Sequence, residues 1–171
     1  EKSTIHPIPF SPQTTNSKFV WTLNSEIAPV TTDLITPPAN LEASQYYVVA
    51  NSYYSGVVTR YNNTVNVGFD GNDVYVQGLF SDSHPESWIK GKLDNGIVTF
   101  PKFQFLGTYS TFNIWMIGAT YDEEDKTFII DDFYMTYDAE ANTLTSINDA
   151  LANGAEDHVY YLSWFGEIVI S

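Results

Sequence analysis

The stretch Thr64-Val65-Asn66-Val67-Gly68-Phe69-Asp70-Gly71-Asn72-Asp73-Val74-Tyr75-Val76-Gln77 decides the fold. Val65, Val67 and Phe69 alternate with Thr64, Asn66 and Gly68. That period of two sends successive side chains to opposite faces of a sheet. Asp70-Gly71-Asn72-Asp73 then breaks the pattern with residues that tolerate positive φ and bond their own backbone. The alternation resumes over residues 73–80, with Val74 and Val76 on one face and Tyr75, Gln77 and Leu79 on the other. Strand, tight turn and strand predict an antiparallel hairpin.

Working outward, the same grammar repeats. Residues 87–93 set Ile89, Gly91 and Leu93 against Trp88, Lys90 and Lys92. Asp94-Asn95-Gly96 is a second hairpin turn. Further strands are predicted at 97–100, 103–109, 112–121, 127–137 and 159–170, all dominated by β-branched and aromatic residues. Three of the strands end in an aromatic residue followed by Asp: Phe69-Asp70, Tyr121-Asp122 and Tyr137-Asp138. An Asp there accepts from the backbone two residues on and starts a reversal. One segment reads as a short helix. Ser146 suits its N-cap, Asp149 follows three positions later, Ile147, Ala150 and Leu151 make a stripe, and Gly154 suits its end.

Residues 1–44 differ. They hold six of the eight prolines, Pro7, Pro9, Pro12, Pro29, Pro37 and Pro38. Proline has no N–H donor, so this stretch is not a run of central strands. One short strand is expected at 18–23, through Phe19, Trp21 and Leu23. The segment either wraps along the domain or is the tail of a preceding module, and residues 45–171 form the main body. Nine or ten strands and one short helix exceed what a flat open sheet carries comfortably. Short connections between successive strands favour an antiparallel up-and-down barrel of the calycin or lipocalin type. A two-layer sandwich is the alternative, since it needs a long crossover and only residues 138–157 could supply one.

Composition narrows the function classes. The chain has 171 residues, 21 acidic and 7 basic, for a net charge of −14, with 16% aromatic residues and no cysteine. Such a charge disfavours nucleic acid, whose phosphates need clustered Lys and Arg. Without cysteine there is no disulfide framework, thiolate nucleophile or Cys-ligated metal. No apolar run approaches the roughly 20 residues of a membrane-spanning helix. No phosphate loop or nucleophile elbow occurs, and no cofactor is expected. The chain starts at Glu1 with no leader-like segment in view, so any membrane anchor would belong to a removed N-terminal segment. The oligomeric state is not legible in the sequence.

The 65–79 run, the later Pro85-Glu86-Ser87-Trp88-Ile89-Lys90-Gly91, Val98-Thr99-Phe100-Pro101, Gln104-Phe105-Leu106-Gly107, and Tyr137-Asp138 with Leu144-Thr145 together resemble a module of secreted or lipid-anchored surface proteins of gut Bacteroidetes. The resemblance spans about residues 37–170. It implies a calycin-like β domain at the cell surface or in the periplasm. Modules of that family can occur in tandem, which would suit the proline-rich segment as the tail of a preceding unit. It carries no catalytic residue.

Candidate sites come from the residues alone. Asp70, Asn72 and Asp73, and the run Asp122-Glu123-Glu124-Asp125, read as solvated turns rather than calcium loops. Asp131 and Asp132 differ, because they interrupt an apolar strand and one of them must turn inward, where it needs a partner or water. A glycosidase needs two carboxylates at a fixed separation, a condition that 21 acids meet with no specificity. His6, His84 and His158 share no metal-ligand spacing, and His84 is expected to be exposed in its loop. Trp88, Trp115, Trp164 and Trp21 could stack on sugar rings, as could the tyrosines. Trp88 shares a face with Lys90 and Lys92 and is the one expected to be exposed. Lys90, Lys92 and Lys102 form a local basic relief, suited either to neutralising nearby acids or to an anionic partner. Asn62-Asn63-Thr64 is a sequon that matters only in a eukaryotic secretory route. The expected ligand site is therefore Trp88, Lys90, Lys92, Asp131, Asp132 and Trp115. The expected function is a non-catalytic surface module binding a glycan or another small extracellular ligand. A structural spacer and a carboxylate-dependent glycoside hydrolase are the alternatives.

Overall fold

The computed structural model describes residues 31–155 and 159–171. Among them are twelve strands and no helix: β1 (Ala43–Tyr54), β2 (Val57–Asp70), β3 (Asp73–Gln77), β4 (Trp88–Asp94), β5 (Ile97–Phe100), β6 (Gln104–Tyr109), β7 (Phe112–Asp122), β8 (Thr127–Asp131), β9 (Phe133–Asp138), β10 (Thr143–Ser146), β11 (Asp149–Ala155) and β12 (Val159–Ile170). The expected strand at 18–23 and Trp21 lie outside the described residues.

Eight strands close into an antiparallel barrel in the order β1-β2-β3-β4-β5-β9-β10-β12, with β12 pairing back onto β1. The barrel is therefore a meander with one long insertion. Between β5 and β9 the chain makes β6, β7 and β8, and these form a flanking sheet with β11 and the first half of β12. Only Asp132 separates β8 from β9, and only Ile147 and Asn148 separate β10 from β11. Each of these pairs is one bent strand that begins in one sheet and ends in the other. β7 fills the opening where they part, with β11 on one edge and β6 and β8 on the other.

The fork is held by side chains. Asn148 donates to the Asp132 carbonyl (2.8 Å) and the Thr120 hydroxyl (3.0 Å), and its oxygen accepts the Tyr134 N–H (2.9 Å). β7 comes so close here that a Cβ on Gly118 would stand 2.2 Å from the Asp132 carbonyl oxygen. Only glycine fits.

The segment expected to be a helix is the end of β10 and all of β11. Its alanines and Leu151 favour a helix on propensity, but a stripe at i, i+3, i+4 over so short a run does not fix the state. Packing on both faces decides. Ala150 and Ala152 enter the barrel-side core, Leu151 enters the opposite core, and β11 pairs with β7 and β12 along both edges. A helix would leave those two ladders unpaired.

The barrel interior is filled. Val48, Val67, Val76, Ile89, Phe100, Ile114, Met116, Phe133, Met135 and Phe165 all lie within one buried cluster. Each such side chain removed from water contributes roughly 1.5–3 kcal/mol. Phe100 stacks on Phe133 with centroids 5.5 Å apart, and Phe165 lies between Tyr61 (4.3 Å) and Phe80 (5.7 Å). Leu79 and Phe80, in the 78–87 connection, join this core. Ser163 donates to Asp82 (2.7 Å) and helps to fasten the connection down. A second cluster lies on the opposite, outer face of the sheet, where Tyr53, Ile117, Leu151 and Trp164 pack with Phe128.

The turns follow their residues. Asn95 and Gly96 both have positive φ, at 53° and 80°, which matches the twist of a two-residue hairpin. The Asp122 carboxylate accepts the Glu124 N–H (2.9 Å), and that of Asp138 accepts the Glu140 (3.0 Å) and Ala141 (3.1 Å) N–H groups.

Candidate functional site

Of the six expected site residues, three share one patch. Trp88, Lys90 and Lys92 alternate along the outer face of β4, against Asp73 and Tyr75 of β3. The Lys90 ammonium lies 3.8 Å and that of Lys92 3.6 Å from the two Asp73 oxygens. Lys90 also stands over the Tyr75 ring, 5.7 Å from its centroid. Trp88 is half-buried and meets Tyr75 edge-on, with centroids 6.5 Å apart, so less of its ring is free than its place beside two lysines suggests. The Gln104 amide clasps the Lys90 backbone, accepting its N–H and donating to its carbonyl, each at 2.8 Å. A shallow groove of about 280 Å³ runs past Asp73, Lys90, Lys92 and Pro101.

The other three lie elsewhere. Trp115 is buried, tilted against Phe105, and donates its indole N–H to the Thr31 carbonyl at 3.4 Å. Asp131 and Asp132 belong to the fork. Asp131 accepts from the Thr120 hydroxyl (2.9 Å), the Asp132 N–H (2.7 Å) and the Tyr134 hydroxyl (3.1 Å). Asp132 accepts the Lys102 N–H (2.9 Å). An acid interrupting an apolar strand here marks the bend where β8 becomes β9. His84 is buried rather than exposed, with one ring nitrogen 2.9 Å from the Ser83 hydroxyl and the other 3.1 Å from the Thr108 carbonyl. It ties the 78–87 connection to β6. His6 and His158 lie outside the described residues. Among the described residues no three His, Asp or Glu side chains gather as a metal site would require.

Two arrangements fall outside the expected set. The first is an open groove of about 380 Å³ on the outer face of β1 and β2, lined by Tyr47, Val49, Asn62, Asn63 and Thr64. The register places Tyr47 opposite Thr64 and Val49 opposite Asn62, so these four side chains share one face. Tyr47 is 69% exposed. A free aromatic ring beside amides and a hydroxyl is a surface that can stack on one face of a ring and hydrogen-bond its edge. The tyrosines read in the sequence as stacking surface only as a group, and the register shows which ring is free and what stands beside it.

The second is buried. Asp149 is 1% exposed, and one of its oxygens accepts the Trp164 indole N–H at 2.9 Å. Its other oxygen and the buried Tyr53 hydroxyl have no hydrogen-bond partner. Burial first, and nearby Glu167 second, push the Asp149 carboxyl up to about 7, against the lowering effect of the indole. Burial and then Asp149 push the Tyr53 hydroxyl up as well, against the lowering effect of the Asn51 side chain beside it. The sequence gives no warning of this acid, because Asp149 reads as a helix-start residue.

No family model, curated protein or solved structure matches the chain.

Proposed function

We propose that this chain is a non-catalytic binding module of the cell exterior that recognises a glycan on the outer face of its barrel. The observation that supports this is the Tyr47 groove. With the interior filled by side chains, a ligand of sugar size finds room on the outside, and Tyr47 is the most exposed large ring among the described residues. A pyranose presents an apolar face to such a ring, while Asn62 and Thr64 offer donors and acceptors to its hydroxyls. The resemblance to surface modules and the lack of cysteine fit a location at the cell surface or in the periplasm, reached by secretion with or without a lipid anchor.

Screening against plant, host and microbial glycans, followed by calorimetry on any hit, tests the reading. Tyr47→Ala is expected to weaken binding at least about tenfold, the loss of roughly 1.4 kcal/mol of ring contact. Retained binding in that variant but loss in a Lys90→Ala/Lys92→Ala double variant would move the site to the basic patch. Silence across all three glycan classes would favour the second reading, a spacer domain, which the filled barrel also supports.

A further inference from the structure

Where β12 closes the barrel against β1, Val49 pairs with Val169 but Asn51 pairs with Gly166. One residue of β1 therefore faces two of β12, which is a β-bulge. Glu167 sits in it with φ at +50°, a left-handed conformation uncommon for a non-glycine residue. The next N–H, that of Ile168, is held by the Ser146 hydroxyl at 2.8 Å. Gly166 is buried and closely covered, since a Cβ there would lie 2.7 Å from the unpartnered Asp149 oxygen and 2.9 Å from the Tyr53 hydroxyl. The bulge and the buried, half-satisfied acid are thus one construction. Strained backbone clusters at functional and switch sites, and a buried polar atom left unpaired calls for an explanation.

We propose that Asp149 and the Glu167 bulge form a proton-operated latch on the closing seam of the barrel, shut when Asp149 is a neutral acid and loosened when it ionises. Burial and the neighbouring carboxylate favour that direction, and the Trp164 indole alone opposes it. From β12 comes Glu167, a second carboxylate, together with the Trp164 indole. From β1 comes the Tyr53 hydroxyl. β7 places Ala119 opposite, and β8 adds Phe128 to the same apolar cluster. The cation on this route is Arg60 of β2. It reaches Asn51 (3.0 Å), and Asn51 reaches Glu167 (3.2 Å), so its charge serves the outer carboxylate rather than the buried one. Ionised Asp149 would be a buried anion beside another anion, with one oxygen unsatisfied. The strain falls on the bulge that joins barrel and flanking sheet. The titrating range is supported by the upward push on this carboxyl.

The Trp164 indole N–H reports on Asp149 directly. In ¹⁵N spectra collected between about pH 5 and about pH 9, a range centred on the raised carboxyl, its resonance should shift with one midpoint near neutrality. Trp164→Phe identifies the peak. Over the same range, amide exchange at Asn51 and Gly166, corrected for its intrinsic pH dependence, should rise about tenfold or more. Asp149→Asn, neutral and nearly isosteric, should remain folded and abolish both changes. Glu167→Gln should keep the transition and move it to lower pH, because a like charge has been removed. A flat indole resonance, a transition that survives Asp149→Asn, or one that vanishes in Glu167→Gln would each overturn the latch.

Discussion

Asn148 shows how much of this fold rests on single side chains. It is buried where two strands part, and its three hydrogen bonds replace the ladder that the parting interrupts. Asn148→Ala would strand the Tyr134 N–H and the Asp132 carbonyl, at roughly 1–3 kcal/mol for each buried group left unpaired. A clearly lowered urea midpoint with an unchanged slope is the expected result. An unchanged midpoint would mean that the fork closes without this residue. Gly118 makes the complementary case, since it is needed for what it lacks. Any side chain there meets the Asp132 backbone, which has no rotamer to yield, so Gly118→Val should destabilise the protein by at least about 1–3 kcal/mol. Neither role is visible in sequence. Asn148 falls in the stretch that reads as a short helix and Gly118 reads as an interruption of a strand, and only the three-dimensional approach of β7 to the bend explains them.

At the scale of elements, the turn acids can be ranked. Asp138 accepts two backbone N–H groups and Asp70 accepts none, although each follows an aromatic residue at a strand end. Asp138→Ala should therefore cost about 1 kcal/mol or somewhat more, and Asp70→Ala much less, by chemical denaturation. Equal costs would show that the acids act through general charge instead. The strands were largely legible because alternation and turn chemistry agree. The predicted spans 97–100 and 159–170 coincide with β5 and β12, and the 127–137 span is β8 and β9 read as one. β11 was not legible. Ala150, Leu151 and Ala152 carry no β-branched signal, and their strand state comes from two neighbouring strands and two cores that lie far away in sequence. The candidate site divides the same way. The shared face of Trp88, Lys90 and Lys92 followed from parity alone. The exposure of Tyr47 over Tyr46 and the burial of Asp149 depend on which face the closed barrel turns inward.

At the scale of the whole molecule, two properties follow from the filled barrel and from the charge. A packed interior leaves an apolar fluorophore no room, so a dye that lights up inside hollow barrels should stay dark with the folded chain; strong saturable fluorescence would contradict the packing. The acidity argument is sharper, because Asp149 links proton binding to stability. Its carboxyl rises from 3.8 to about 7 on folding, chiefly through burial. A raised acid contributes stability that is fully present below the unfolded value and is lost as pH rises through the folded value. At 1.36 kcal/mol for each unit of pKa, that contribution is on the order of 4 kcal/mol at most. Self-repulsion from a net charge of −14 acts in the same direction, easing as carboxylates gain protons. The thermal midpoint should therefore climb as pH falls from about 8 to about 5. Asp149→Asn separates the two causes. The general charge effect remains in the variant, while the Asp149 share disappears and the slope flattens. Parallel slopes for the variant and the natural chain would assign the whole effect to net charge and leave the buried acid without a thermodynamic role.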